Sequence, residues 1–228
     1  MFGFQALLRR YTASFRVKDL PASARLLLDG VSPFDRMHSR CRVWVNDDEI
    51  AALEEGRYLD RLIGEADVAG FLKEGENTVR IEITSIFDEA ACLGHIAYLI
   101  GDFALEQSDG DWALVKPRTQ MPTGSWSENG YPFYSGACVY EQDFEVPERW
   151  AGKTIALKLD EVSDLADVSI NSRNAGVLAW DPLALDVTQH LRASRNTLTI
   201  KVVNSMSNLI ALEPIKSGLT GKVELGMY

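Results

Sequence analysis

The sequence has few cysteines and lacks a long apolar run. Its 228 residues include three cysteines, Cys41, Cys92 and Cys138, which are widely spaced and set among apolar neighbours. An odd number in this pattern favours buried free thiols over a disulfide framework and indicates a reducing compartment. No apolar stretch is long enough to cross a bilayer, and the start of the chain lacks the apolar core of a signal peptide. We therefore expect no membrane partner, and a cytoplasmic location if Met1 is the natural start.

Basic residues are fewer than acidic ones. The chain has 33 acidic and 23 basic side chains, which give a net charge of -10. Acidic residues exceed basic ones by six in residues 1–108 and by four in residues 109–228, so neither half is a basic arm. Such a field repels a phosphate backbone, and nucleic acid is excluded as an expected partner.

The sequence also lacks the usual motifs of hydrolytic and metal-dependent catalysis. Its three histidines, His38, His95 and His190, are far apart and do not lie near a cysteine at ligand spacing, and Gly-x-Ser-x-Gly is absent. Glycoside hydrolysis needs two carboxyl groups on opposite sides of a scissile bond. The acidic pairs here lie mostly in polar segments: Asp47/Asp48, Glu54/Glu55 and Asp164/Asp167. We expect no catalytic residues, and no catalytic activity from this chain alone.

What the sequence does contain is an internal repeat, which sets the architecture. Five blocks recur in the same order in the two halves: Tyr11–Val17 and Tyr140–Val146, Val43–Asn46 and Val168–Asn171, Asp67-Val68 and Asp186-Val187, Asn77–Ile81 and Asn196–Ile200, and Gly101–Leu105 and Gly221–Leu225. The blocks have the β-branched or alternating pattern of strands, and no stretch carries a sustained helical stripe. The sequence predicts an all-β protein of two tandem antiparallel β-sandwiches.

A polar, turn-rich stretch at residues 106–111 separates the two sets of blocks. Such a stretch is typical of a domain boundary. We therefore predict a first domain at residues 1–108 and a second at residues 109–228. The halves differ most at residues 116–136, which precede the Tyr140 block and are rich in proline, glycine and aromatic residues.

Several motifs of the second half form a familiar series. They are Tyr140-x-x-x-Phe144-x-Val146-Pro147, Val168-x-Ile170-Asn171, Trp180-x-Pro182, Asp186-Val187-Thr188 and Asn196-x-Leu198-x-Ile200. In this order they resemble the sugar-binding, galactose-binding-like jelly-roll domain of glycoside hydrolase family 2. Tyr98–Phe103 and Gly130–Gly136 are similar to a connecting region in the C-terminal tails of proteins related to family 106 rhamnosidases.

The resemblance implies a non-catalytic carbohydrate-binding or accessory module of a glycoside hydrolase system. Such domains normally accompany a catalytic barrel, so we expect a C-terminal portion of a larger enzyme, with a saccharide or a glycosidase catalytic domain as partner. The alternative is a structural or interaction module that binds no sugar. In the first half Asn46 is followed by Asp47 rather than by a glycine-bearing turn, so that half is the divergent one. Related sandwiches often hold a structural calcium ion, but without an Asp-x-Asp-x-Asp-Gly loop the sequence names no ligands.

The candidate ligand-binding residues are aromatic and polar, because a sugar presents apolar ring faces and hydroxyl edges. One group, Trp126, Tyr131 and Tyr134, lies in the aromatic loop before the Tyr140 block. A second group comprises Trp180 and Asp181, with Asn171 on the preceding turn. The alternative interpretation is that these aromatic residues pack into the end of the sandwich or between the two domains.

Overall fold

A computed structural model describes residues 7–29, 39–51, 53–59, 63–85, 97–108, 110–210 and 213–227. His38, Cys92 and His95 lie outside these ranges. The chain divides into two compact units, residues 1–118 (unit 1) and 119–228 (unit 2). None of the helices in the described ranges has the length and apolar character needed to cross a membrane.

Unit 1 is built from two sheets. Its strands are β1 (Leu7–Val17), β2 (Ala24–Leu28), β3 (Ser39–Val45), β4 (Asp48–Ile50), β5 (Glu54–Glu55), β6 (Gly64–Asp67), β7 (Gly75–Ser85), β8 (Ala97–Gly101), β9 (Ala104–Ser108) and β10 (Asp111–Val115). One sheet has the order β4-β3-β7-β1-β10-β9 and the other β5-β6-β2-β8. The pairing of β1 with β10 is parallel, and the other pairings are antiparallel.

The polar stretch predicted as a domain boundary lies in the β9–β10 hairpin. β10 pairs with β1 through Arg16 and Val17, and Lys18 N donates a hydrogen bond to Leu114 O over 2.8 Å. These bonds attach the hairpin to unit 1. For this reason the division between the units follows Arg118 rather than Ser108.

Unit 2 is also a two-sheet sandwich. Its strands are β11 (Ala137–Glu145), β12 (Ile155–Leu159), β13 (Leu165–Ile170), β14 (Arg173–Leu178), β15 (Ala184–Asp186), β16 (Arg195–Val203) and β17 (Val223–Met227), with a short helix, α1, at Ser207–Ile210. The sheets have the orders β11-β16-β13-β14 and β15-β12-β17. In each unit alternate residues of both sheets face inward and form the core.

The strand registers confirm the tandem repeat. Phe15 is paired with Asn77, and Phe144 with Asn196. The further pairs Val43–Ile81 and Val45–Val79 in unit 1 match Val168–Ile200 and Ile170–Leu198 in unit 2. The prediction of an all-β protein with two related sandwiches is therefore confirmed.

The fifth sequence block was aligned wrongly. β8, which ends at Gly101, pairs with β2, as β17 pairs with the equivalent strand β12. The equivalent of β17 is therefore Ala97–Gly101. Ala104 and Leu105 belong to β9 in the other sheet, because their partner is β10.

Candidate functional site

Trp126, the first residue of the aromatic loop, belongs to the core of unit 2. Its side chain is fully buried, and its indole Nε1 donates a hydrogen bond to Tyr140 Oη over 2.7 Å. The backbone N–H donates to Ser217 O over 2.8 Å. An indole in this position is closed to a ligand, so the assignment of Trp126 as a sugar platform is corrected. The alternative interpretation, packing at the end of the sandwich, describes it.

Tyr131 and Tyr134 pack around this tryptophan. The Tyr134 ring meets the Trp126 ring edge-on at 5.6 Å and the Tyr131 ring edge-on at 6.0 Å. Tyr131 is half-buried against the core, and the Tyr134 hydroxyl donates to Ala137 O over 3.0 Å. The structure brings Trp126, Tyr131 and Tyr134 together, but their rings pack against one another. Most of their polar atoms form hydrogen bonds within the protein.

Asn171 lies in the tight turn between β13 and β14, with a φ of 52°. Its amide Nδ2 donates to His190 O over 2.9 Å and to Asn196 Oδ1 over 2.8 Å, while its Oδ1 accepts a bond from Thr197 N over 3.2 Å. The side chain is therefore occupied by the fold. Asn171 precedes β14 and Trp180 follows it, and a strand of this length spans about 20 Å. The two residues cannot contact one small sugar together.

Trp180 and Asp181 lie in an exposed loop between β14 and β15. The Trp180 side chain is 81% exposed, and Asp181 is also exposed. The loop begins after Leu178, which pairs with Ala166, and at its other end Leu183 O accepts a hydrogen bond from Leu159 N over 2.9 Å. It therefore lies at the end of the sandwich where β13 begins and β12 ends.

The same end of unit 2 contains a cleft of about 310 Å³. Polar side chains line it, among them Glu161, Ser163, Asp164, Asn204, Asn208 and Lys216. Of these the sequence argument named only Asp164, as one of an acidic pair. Glu161 follows β12 by two residues, and Asp164 directly precedes β13. The only sequence signal was the density of serine, asparagine and acidic residues in two segments some 40 residues apart.

Hydrogen bonds hold the walls of the cleft in place. Asn204 Oδ1 accepts a bond from Gly136 N over 2.8 Å, and its Nδ2 donates to Tyr134 O over 2.8 Å. Asn208, which is buried, donates to Ser217 Oγ over 3.0 Å. The walls of the cleft are thus held in place by hydrogen bonds within unit 2.

The charged groups of the cleft include an ion pair at its rim. Lys216 Nζ lies 2.7 Å from Glu161 Oε2. The hydrogen bond from Lys216 holds the pKa of Glu161 below its usual range. A glycosidase acid needs the opposite shift, because it must be protonated when the bond breaks.

The structure gives no site for a metal within the described residues, where no group of three or more His, Cys, Asp or Glu side chains could hold an ion. The most deeply buried carboxylate described, Glu65 in unit 1, accepts bonds from Arg57 N over 2.6 Å and Tyr58 N over 2.9 Å and pairs with Arg25 at 3.0 Å. Its role is structural.

Comparisons with known proteins find similarity to glycoside hydrolases. No protein-family model matches the chain. A curated Formosa agariphila protein with a beta-glucuronidase name is 35% identical over 89 residues, which cover 37% of this chain and 8% of that protein. A Bacteroides uniformis beta-glucuronidase structure is 23% identical with a TM-score of 0.39, covering 50% of this chain and 14% of the other. A rhamnosidase structure from Novosphingobium sp. PP1Y is 18% identical with a TM-score of 0.40, covering 95% of this chain and 22% of the other.

The chain therefore spans a small part of these relatives, between 8% and 22% of their length. The name of the Formosa agariphila protein is that of a glycoside hydrolase, the class that the sequence resemblance indicated.

Proposed function

We propose that the chain is a non-catalytic carbohydrate-binding module of a glycoside hydrolase system, and that it binds saccharide at the Trp180 end of unit 2. The observation that carries this proposal is the 81% exposed indole of Trp180 at the sandwich end that also contains the polar cleft. An exposed aromatic face provides an apolar platform, and the cleft provides hydroxyl and charged groups.

The expected affinity is weak. Stacking of a sugar ring on an indole is worth about 1–2 kcal/mol at about 25 cal/mol per Å² of apolar surface. Hydrogen bonds from the sugar to Asp181 or to the cleft replace hydrogen bonds from the sugar to water. They therefore contribute to the orientation of the sugar more than to the binding free energy. A dissociation constant on the order of millimolar, about 4 kcal/mol, is the expected result.

The proposed partner is a glycosidase catalytic domain, on the same chain or on another. This part of the proposal is supported by the small share of each relative that the chain covers. The module would raise the local concentration of the saccharide near that domain, which strengthens binding without new contacts.

The test is a titration of the full chain with neutral and acidic oligosaccharides, monitored by tryptophan fluorescence and NMR. Trp180→Ala should weaken binding about five- to thirtyfold, as the loss of about 1–2 kcal/mol requires. Tyr58→Ala, which removes a 53% exposed aromatic from unit 1, is the matched control and should bind as the wild type does. Equal binding by both variants would place the site elsewhere.

The alternative function is a protein-interaction module that binds no sugar. The same exposed indole favours it, because tryptophan is enriched at protein interfaces. Two results together would support it. The wild type would show no response to any saccharide, and it would associate with a glycosidase catalytic domain in a way that depends on Trp180.

A further inference from the structure

Unit 1 has an arginine-rich sheet surface. Val43, Val45, Val79 and Ile81 face the core, so the alternate residues of β3, β7 and β1 face outward. The outward arginines, which we call the arginine face, are Arg10, Arg16, Arg40, Arg42 and Arg80. Three glutamates accompany them, Glu49, Glu76 and Glu82. These eight side chains carry an excess of two positive charges, which Lys18, Glu106 and Asp111 at the neighbouring strands of the same sheet reduce to one, although residues 1–118 carry 20 acidic and 14 basic side chains.

The centre of the arginine face is a stack of three side chains. The guanidinium carbons of Arg80 and Arg42 lie 4.1 Å and 4.6 Å from the centre of the Trp44 ring. They cover the indole, which is only 7% exposed. Cation–π attraction holds both guanidinium groups in fixed positions. Two cations are thus preorganised on one indole.

The two stacked arginines differ in their polar partners. Arg42 Nε donates to Glu49 Oε1 over 2.7 Å, and this bond lowers the pKa of the glutamate. Arg80 Nε lacks a hydrogen-bond partner among the described residues, and its nearest carboxylate oxygen, on Glu82, is 4.0 Å away. Because this Nε is buried, an oxyanion would be bound through the terminal nitrogens of Arg80, whose side chain is 40% exposed.

The fold itself does not require these residues. The strand registers make Trp44 equivalent to Ser169 of unit 2, Arg80 to Thr199 and Arg42 to Asp167. Unit 2 forms the same four-strand order with small or acidic side chains at these positions. The arginine face is consequently a property of unit 1 alone, and it needs an explanation beyond sandwich stability.

We propose that the arginine face binds an anionic saccharide chain through its carboxylate or sulfate groups. Guanidinium groups match both oxyanions with paired hydrogen bonds. Screening confines the relevant field to about 8 Å at physiological salt, so the acidic remainder of the chain has little effect on a bound ligand. This inference rests on the proposed carbohydrate-binding role, but it uses a different unit and different residues.

The dimensions and polarity of the arginine face favour a polymer over a protein partner. The pairs Arg40–Thr84 and Arg16–Glu76 lie eight residues apart along β7, about 27 Å, which matches several sugar units. A protein interface needs apolar anchors near its centre. Here the central indole is covered by arginines, and Leu8, 55% exposed, lies at the margin.

The test is affinity electrophoresis of the full chain in gels that contain oligogalacturonate, dextran sulfate, neutral dextran or polyglutamate. Retardation by oligogalacturonate or dextran sulfate at 50 mM salt, lost at 500 mM, is expected, and the two gels distinguish carboxylate from sulfate recognition. Arg80→Gln should weaken binding about tenfold, or about 1.4 kcal/mol. Arg195→Gln, the same charge change on β16 of unit 2, should stay within twofold of the wild type.

A second variant tests the proposal even if Arg80→Gln disturbs folding. Arg16→Gln combined with Arg40→Gln alters exposed side chains at the two ends of the arginine face, and it should weaken binding severalfold. Equal loss in Arg80→Gln and Arg195→Gln, equal retardation by neutral dextran, or equal retardation by polyglutamate would each overturn the proposal. Trp180→Ala should leave this retardation unchanged, so failure of the unit 2 site is distinguishable from failure of the arginine face.

Discussion

Asn171 Nδ2 donates a hydrogen bond to Asn196 Oδ1 over 2.8 Å, and the equivalent residues of unit 1, Asn46 and Asn77, are joined in the same way over 3.1 Å. Asn77 and Asn196 are fully buried. Each also bonds three backbone groups of the loop before its strand. The repeat therefore extends from strand spacing to a shared hydrogen-bond network that fixes the start of β7 and of β16.

Asn196→Ala is expected to destabilise unit 2 by about 2–4 kcal/mol, because it leaves several buried backbone groups without partners. Urea denaturation followed by circular dichroism measures the change. Asn174→Ala, at an exposed asparagine whose Nδ2 donates to Asp167 Oδ1 over 2.7 Å, should cost less than about 0.5 kcal/mol. An unchanged midpoint for Asn196→Ala would show that the network is dispensable.

The two loop tryptophans should respond differently to one conservative change. Trp126→Phe removes the bond to Tyr140 inside the core and should cost about 1–3 kcal/mol. Trp180→Phe changes an exposed ring and should stay within about 0.5 kcal/mol of the wild type. Thermal unfolding of both variants is the measurement, and equal losses would contradict the burial difference.

Gly218 has a φ of 109°, and a Cβ built there would lie 2.6 Å from Trp126 Nε1. Gly218→Ala should therefore destabilise unit 2 by about 1–3 kcal/mol through backbone strain and displacement of the indole. Gly226→Ala is the control, since open space surrounds that position. Chemical denaturation should show a lower midpoint for the first variant only.

Phe144 packs on the core of unit 2 but is only half-buried. Phe144→Ala should cost about 2–3 kcal/mol, at or below the low end of the 3–5 kcal/mol typical of buried aromatic residues. Val139→Ala, on the outer side of the same strand and 59% exposed, serves as the comparison. If the two variants unfold at the same denaturant concentration, the Phe144 side chain does not face the core.

Burial raises the pKa of the Cys41 thiol to about 12. At pH 8 this thiol is protonated, so it should resist iodoacetamide in the native protein and react after unfolding in urea. A raised folded-state pKa contributes stability that is present below the unfolded value of 9.0 and is lost as the pH rises toward 12. Mass spectrometry of peptides separates Cys41 from Cys92 and Cys138; rapid native labelling of Cys41 would show that it is accessible.

Strand positions and their phase were predictable from the sequence. The spacing of Val43 and Val45, or of Val168 and Ile170, follows the two-residue period of a strand and directs both members to the core. The matched spacings also identified equivalent positions in the two halves, because each half repeats one local pattern. The alignment of the block that begins at Gly101 was wrong because β8 and β9 are adjacent in the chain but pair in different sheets.

The sequence by itself determined the architecture, since the phase of the strands depends on local periodicity. Only the tertiary structure decided which tryptophan is available to a ligand. Trp126 and Trp180 both lie in loops, but Trp126 is covered by Ser217 and Gly218, which are far along the chain. The cleft likewise needs residues 161–164 to meet residues 204–208 and 215–220, and such long-range proximity is set by the packing of the whole unit.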